Sequence, residues 1–257
     1  MKIGLFITAR LGSTRLPRKH LLPVKGRPLI HFLLKRIQAE FQNELAEASC
    51  RLAVVTSDEP ENRAFEQFCA EGVAVFYGSK SNIPFRHLQA ARALAVDAIV
   101  SIDGDDILCS VKGMRSVYDA LAHDRPYVKT ANLPFGMNSG GYSRDFLESS
   151  LIGRTDDVLE TGWSHIFDAT KLKELSMTCP VQNDSLRFTL DYQEDFQFFT
   201  AVIESIGEAV ITAPDELIVS RVLDEKLYLI TEPIMKQYWE NFYRLQAQEK
   251  LKSHNAG

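Results

Sequence analysis

Four short apolar runs set the frame for this chain: Ile3-Gly4-Leu5-Phe6-Ile7, Leu52-Ala53-Val54-Val55, Val73-Ala74-Val75-Phe76-Tyr77 and Ala98-Ile99-Val100-Ser101-Ile102. Runs of this length without alternation read as strands, the first two of them buried. Helical spacing fills the gaps between them. Ile30, Leu33, Leu34, Ile37 and Phe41 recur a turn apart after Pro28. Phe65, Phe68 and Cys69 lead to Gly72 behind the acidic Asp58-Glu59-Pro60-Glu61, and a third helix is expected from Pro84 to Val96. Strands alternating with helices give an α/β fold with a mostly parallel sheet, and such sheets take ligands where strands open into loops at their carboxyl ends.

The first strand opens into Ala9-Arg10-Leu11-Gly12-Ser13-Thr14-Arg15-Leu16-Pro17-Arg18-Lys19. Between Met1 and Ala39 the chain carries nine Lys or Arg and no Asp or Glu, although its net charge is −5. So local an excess of cations in an acidic protein fits a polyanion. Gly12 and Ser13 let backbone N–H groups approach phosphate, Arg10 and Arg15 can fork onto its oxygens, and Lys19 supplies a point charge. A nucleoside triphosphate is the inferred ligand; a solvated basic face is the alternative. The loop is not a Walker A motif, since no Gly-x-x-x-x-Gly-Lys-Ser/Thr occurs in it.

The fourth strand delivers Asp103-Gly104-Asp105-Asp106 to the same edge. Three crowded carboxylates repel one another unless a cation compensates, and Mg²⁺ is the simplest one, because it takes one or two carboxylates plus phosphate oxygens and water. An ordinary solvated turn is the alternative. Farther on, Val111 to His123 reads as helix and Tyr127 to Thr130 as strand. Asn132 to Tyr142 is a loop rich in turn formers, and Glu160, Trp163 and His165 lie on a helix. Leu186 to Leu190 is a strand ending at Asp191, and Glu194 and Asp195 suit the first turn of the next helix. The stripe Ile234, Met235, Tyr238, Trp239, Phe242, Tyr243 and Leu245 marks a last helix over about 230–252 that docks on the body or on a second subunit.

Composition narrows the class. The chain has 257 residues, 45% of them hydrophobic and 25% charged, which describes an ordinary globule able to bury a core. No apolar stretch is long enough to span a membrane, and the start does not read as a signal peptide, because Gly4 and Arg10 interrupt it. Cys50, Cys69, Cys109 and Cys179 are scattered without a Cys-x-x-Cys pair, so neither zinc nor a disulfide framework is expected, and a reducing cytoplasm fits. No nucleic-acid motif is present, so nucleic acid is not an expected partner.

The order Ala9-Arg10-x-Gly12-Ser13-Thr14-Arg15-Leu16-Pro17-x-Lys19, followed by Leu22-x-x-x-x-Gly26-x-Pro28-Leu29-Ile30, resembles the sugar-acid cytidylyltransferases. The likeness is to the branch named after spore-coat polysaccharide biosynthesis protein F and, more distantly, to CMP-Kdo and CMP-acylneuraminate synthetases. It implies a Rossmann-like three-layer α/β/α nucleotidyltransferase fold with a mostly parallel mixed sheet. One domain over 1–257 is expected, with an acceptor and dimerisation excursion over about 131–185. The resemblance implies that Arg10, Arg15 and Lys19 hold the phosphates of CTP, with Ala9, Gly12 and Ser13 in the same loop. Asp105 and Asp191 become the ligands of Mg²⁺, and Ser79 and Arg86 the neighbours of the base. The implied reaction, in a homodimer, transfers CMP from CTP to the hydroxyl of a sugar acid and releases pyrophosphate, for surface polysaccharide biosynthesis. A water on the metal, or else Asp103, takes the hydroxyl proton. Arg18 stands where this family usually has Gly, Ile107 and Gln193 where it has Pro, and Gly140 where it often has an acid. The change at Gly140 motivates a second acceptor class, a phosphorylated sugar or polyol. A nucleotide-binding module without catalysis and a nucleotide-sugar-dependent transferase are the remaining readings.

Overall fold

The structure is a computed structural model and describes residues 1–154, 158–179 and 185–254. The four apolar runs form strands β1 (Ile3–Thr8), β2 (Cys50–Ser57), β3 (Ala74–Gly78) and β4 (Ala98–Asp103). Three more complete the sheet: β5 (Tyr127–Ala131), β6 (Gly140–Ser143) and β7 (Leu172–Ser176). Their spatial order is β3-β2-β1-β4-β6-β5-β7. β6 runs antiparallel to both its neighbours and every other pairing is parallel. The expected mixed, mostly parallel sheet is thus present. Helices α1 (Leu29–Glu40) and α3 (Val111–Ala122) cover one face, packing on Ile3, Leu5 and Ile7. Helices α2 (Ile83–Ala93) and α4 (Arg144–Ser150) cover the other, around Phe6, Ala53 and Val55. Alternate residues of one strand therefore serve opposite cores, each buried aliphatic contributing about 1.5–3 kcal/mol.

β1 pairs with β2 on one side and β4 on the other, in a register that sets Thr8 beside Val55 and Asp103. The chain runs outward through β2 and β3 and then crosses back to β4, so the loops after β1 and β4 diverge and leave a crevice at this switch point. Gly104 permits their close approach. Its N–H donates to the Thr8 carbonyl at 2.8 Å, and a Cβ there would lie 2.7 Å from that oxygen and 2.8 Å from Ala9 Cβ.

Three expectations need correction. The helix expected after Asp58 is a 3-10 helix over Pro60–Glu71, closed by Gly72. The stretch 132–142, read wholly as loop, carries the start of β6; Gly140-Gly141 has low strand propensity, but partners on both sides impose the pairing. The strand expected over Leu186 to Leu190 joins no sheet. It is an extended segment with one bridge, Arg187 to Phe135, and its N–H groups go to loop carbonyls: Phe188 to Phe135 at 2.8 Å and Leu190 to Asp105 at 2.9 Å. The stretch 131–185 contributes β6 and β7 to the sheet, and its residues 155–157 and 180–184 lie outside the described ones.

Three further helices follow: α5 (Gln193–Ile206), α6 (Asp215–Asp224) and α7 (Met235–His254). α5 and α6 close a separate apolar cluster over Phe188, Leu190 and Phe199. Gly136, at φ +84°, lets the 132–139 loop press on the extended segment, since a Cβ would meet the Phe188 carbonyl oxygen at 2.3 Å. Gly136→Ala is therefore expected to cost about 2 kcal/mol or more, read as a lowered urea midpoint with an unchanged slope.

Candidate active site

The basic loop is shaped by one buried amide. Asn62 Oδ1 accepts from Leu11 N at 2.8 Å while its Nδ2 donates to the Ser57 carbonyl at 2.9 Å, tying the loop to the end of β2. The Arg18 N–H closes the loop on the Leu11 carbonyl at 3.1 Å. Arg18 adopts φ 55°, ψ 27°, the left-handed region that glycine enters freely and other residues at a cost of about 1 kcal/mol. The substitution of Arg for the family's usual Gly therefore leaves a glycine-like turn in place.

Lys19, buried, points its ammonium between two carboxylates: Asp105 Oδ2 at 2.6 Å and Asp191 Oδ1 at 3.2 Å. Burial opposes its charge, but the two acids outweigh that and hold its pKa above the ordinary value. Asp105 is held the other way: burial would raise it, and Lys19 and His20 keep it well below the usual carboxylate range. His20 Nε2 lies 2.9 Å from Asp105 Oδ1. Arg15 pairs with Asp191 directly. Asp103 opens toward the same space, and desolvation in the cleft together with the Asp105 charge pushes it up to about 7. Asp106, bonded to Thr189, is also raised well above the ordinary carboxylate value, chiefly by burial.

Asp191 reaches this point through the extended segment. Leu190 N–H binds the carbonyl of Asp105, which sets the two acidic residues side by side. Asp195 then fixes the turn: its Oδ2 accepts from the backbone of Asp191 at 2.8 Å and of Tyr192 at 2.9 Å, and its Oδ1 from Arg187 Nε at 2.8 Å. The first-turn role expected of Asp195 is thus present, with a fully buried guanidinium added to it. Arg187 also approaches Asp191 at 3.5 Å and lies under the Tyr238 ring, 3.9 Å from its centroid.

Arg15, Lys19, His20, Asp103, Asp105 and Asp191 line a cavity of about 790 Å³. Of the residues expected in the site, Ala9, Arg10, Gly12, Ser13, Arg15, Lys19, Arg86, Asp105 and Asp191 border it. Ser79 does not. Its hydroxyl accepts from Asn82 N at 3.2 Å and its carbonyl from Arg86 Nε at 2.6 Å, so it holds Arg86 rather than facing the cavity. Burial pushes Arg86 down to about 10, which leaves it charged at neutral pH. Arg10 forks onto Glu160 at 3.2 and 2.9 Å. Glu160 is not helical; the helix expected around Trp163 is a 3-10 turn, Trp163–Ile166. His165 is exposed and turns Nδ1 to the Gly162 carbonyl at 3.0 Å, as suits a structural histidine. The aromatic stripe of α7 does not pack only on the core: Tyr238, Phe242 and Leu245 wall the cavity. His20, Arg187 and Lys129 were not singled out from the sequence. An Arg four residues before Asp191 and eight before Asp195 was the one local signal.

Among the described residues no group of three or more His, Cys, Asp or Glu gathers to hold a metal ion. Asp105 and Asp191 nonetheless meet at one cation, the Lys19 ammonium, so both can serve one charge centre, and their oxygens are the hard donors that Mg²⁺ prefers. No helix among the described residues is long and apolar enough to cross a membrane.

A switch-point crevice in a nucleotidyltransferase-type sheet, with cations on one wall and strand-end carboxylates on the other, defines an enzyme that handles nucleotides. The family model described as Cytidylyltransferase matches residues 5–147, more than half of the chain, and the chain belongs to that family. It is 26% identical over 220 residues to the spore coat polysaccharide biosynthesis protein SpsF of Bacillus subtilis, covering 82% of this chain and 90% of that protein. Over 122 residues, 47% of each chain, it is 32% identical to the 3-deoxy-manno-octulosonate cytidylyltransferase of Anaeromyxobacter dehalogenans. A solved cytidylyltransferase structure from Leptospira borgpetersenii shares the fold, with a TM-score of 0.74 at 22% identity over 89% of this chain and 96% of that one.

Two residues that border the cavity, Thr8 and Tyr142, are joined through a buried histidine: His87 meets Thr8 Oγ1 at 2.7 Å and the Tyr142 hydroxyl at 2.5 Å. Burial pushes His87 down to about 3, whereas an unfolded histidine titrates near 6.5. Between those values only the unfolded chain takes up the proton, so stability is full above about pH 6.5 and declines as pH falls toward about 3. Urea midpoints of the native chain are expected to drop more between pH 7 and pH 5 than those of His87→Gln.

Proposed function

We propose that the chain transfers CMP from CTP to a hydroxyl of a sugar acid and releases pyrophosphate, with Mg²⁺ as its metal. The observation that carries this reading is the Lys19 ammonium held between Asp105 and Asp191 at the mouth of the basic loop. The names of the relatives support the cytidylyl donor and the sugar-acid acceptor. Arg10, Arg15 and Lys19 orient the β- and γ-phosphates and disperse the charge that accumulates on them as the α–β bridging bond breaks. Their present partners, Glu160 and Asp191 among them, keep the guanidinium groups at fixed directions beforehand. Asp105 and Asp191 would hold Mg²⁺, which would neutralise the triphosphate charge that repels an incoming hydroxyl. Asp103, opening into the same cavity, takes up the hydroxyl proton. No protein nucleophile is needed, because positioning and charge stabilisation supply most of the catalysis in such transfers.

Phosphate release assays on pyrophosphatase-coupled reactions test this. With CTP, Mg²⁺ and 3-deoxy-manno-octulosonate or a nonulosonate, pyrophosphate forms; no product with any sugar acid would overturn the acceptor, and equal turnover with ATP, GTP or UTP would overturn the cytidylyl donor. Asp105→Asn and Asp191→Asn are each expected to lower kcat/KM about 100-fold or more while leaving the thermal transition within a few degrees. Arg15→Met should act chiefly on the KM for CTP.

A further inference from the structure

We propose that the Lys129 ammonium anchors the acceptor by its carboxylate, an assignment that rests on the proposed transfer to a sugar acid. The other long cations of the cavity are already committed. Arg10 pairs with Glu160, Arg15 with Asp191, and Lys19 with Asp105 and Asp191. Arg86 turns Nε and one Nη to the carbonyls of Ser79 and Lys80. Lys129 lines the same cavity from β5, and among the described residues no carboxylate lies within ion-pair distance of it. Its hydrogen bond goes to a neutral hydroxyl, Ser164 Oγ, at 3.1 Å.

In the β5–β6 register Lys129 stands opposite Gly140, which has no side chain to offer, and the acid that β7 sets beside it on the other side, Glu174, is exposed and not within ion-pair distance. The other face of the ammonium is aromatic: the Tyr127 ring centroid is 5.4 Å away. Tyr127 is the first of a row of rings, with Tyr142, Trp163 and Phe167, that walls this half of the cavity. A half-buried ammonium against apolar rings, with N–H donors to spare, is an anion site, and the rings beside it suit the carbon face of a sugar. Ser139, also lining the cavity, holds a buried hydroxyl oxygen with no hydrogen-bond partner among the described residues and adds a donor for the same ligand. The polar loop end takes the nucleotide's charge and this end takes the acceptor's.

A phosphate on a polyol would present the same charge, so the test carries both. Pyrophosphate release with CTP is measured against 3-deoxy-manno-octulosonate, its methyl ester and erythritol phosphate, for the native chain, Lys129→Met and Lys129→Arg. The native chain is expected to use the acid and discriminate against the ester. Lys129→Met should raise the KM for the acid at least tenfold with the KM for CTP within twofold and lose that discrimination, and Lys129→Arg should recover most of it. An unchanged acid KM in Lys129→Met, or a CTP KM that rises in step, overturns the assignment while leaving the proposed transfer standing. Turnover by the native chain of erythritol phosphate alone overturns both.

Discussion

A lysine buried at the edge of a sheet is stable there only while its charge is met, and Lys19 is met twice, by Asp105 and Asp191. The three residues come from segments far apart in sequence, and removing the lysine would leave two neighbouring carboxylates without their shared counter-charge, whereas removing either acid leaves the lysine paired with the other. The pairing therefore couples folding of the whole sheet edge to the chemistry of the site. In the proposed reaction it would also preset the charges: a phosphate at the loop would meet cations whose directions are already fixed, and a metal at the acids would meet oxygens already turned to one point.

Backbone contacts, rather than long side chains, bring the parts to within reach. Gly104 lets the ends of β1 and β4 touch, which puts Asp105 beside the loop. The Leu190 N–H on the Asp105 carbonyl then fixes where the extended segment ends, and Asp195 and Arg187 hold the turn that presents Asp191. Asn62 does the same service for the loop. Each tie is a buried hydrogen bond whose loss would leave a desolvated donor or acceptor, which makes the site rigid where positioning matters.

Much of this was legible in the chain. The four central strands show as unbroken apolar runs, and the loop and the acids show because charge bunches at the ends of those runs. β6 and β7 were hidden because Gly140-Gly141 and the Lys-Glu-containing edge strand lack the pattern of a strand; their neighbours decide the conformation. Leu186 to Leu190 carries the pattern of a strand, yet its hydrogen bonds go to loops, a choice made by tertiary packing. Ser79 faces away because Arg86, seven residues on, claims its carbonyl, and the Arg10–Glu160 pair spans 150 residues. Lys129 gives no local signal, since most residues that share its side of the cavity come from distant parts of the chain.

The proposed site is tested most directly by anomalous diffraction from crystals grown with CTP and Mn²⁺ in place of Mg²⁺. The proposed site predicts a manganese peak shared by the carboxylates of Asp105 and Asp191, with the triphosphate lying along residues 10–19. Manganese bound elsewhere, or a triphosphate seated away from that loop while Lys19 keeps both acids, would contradict it.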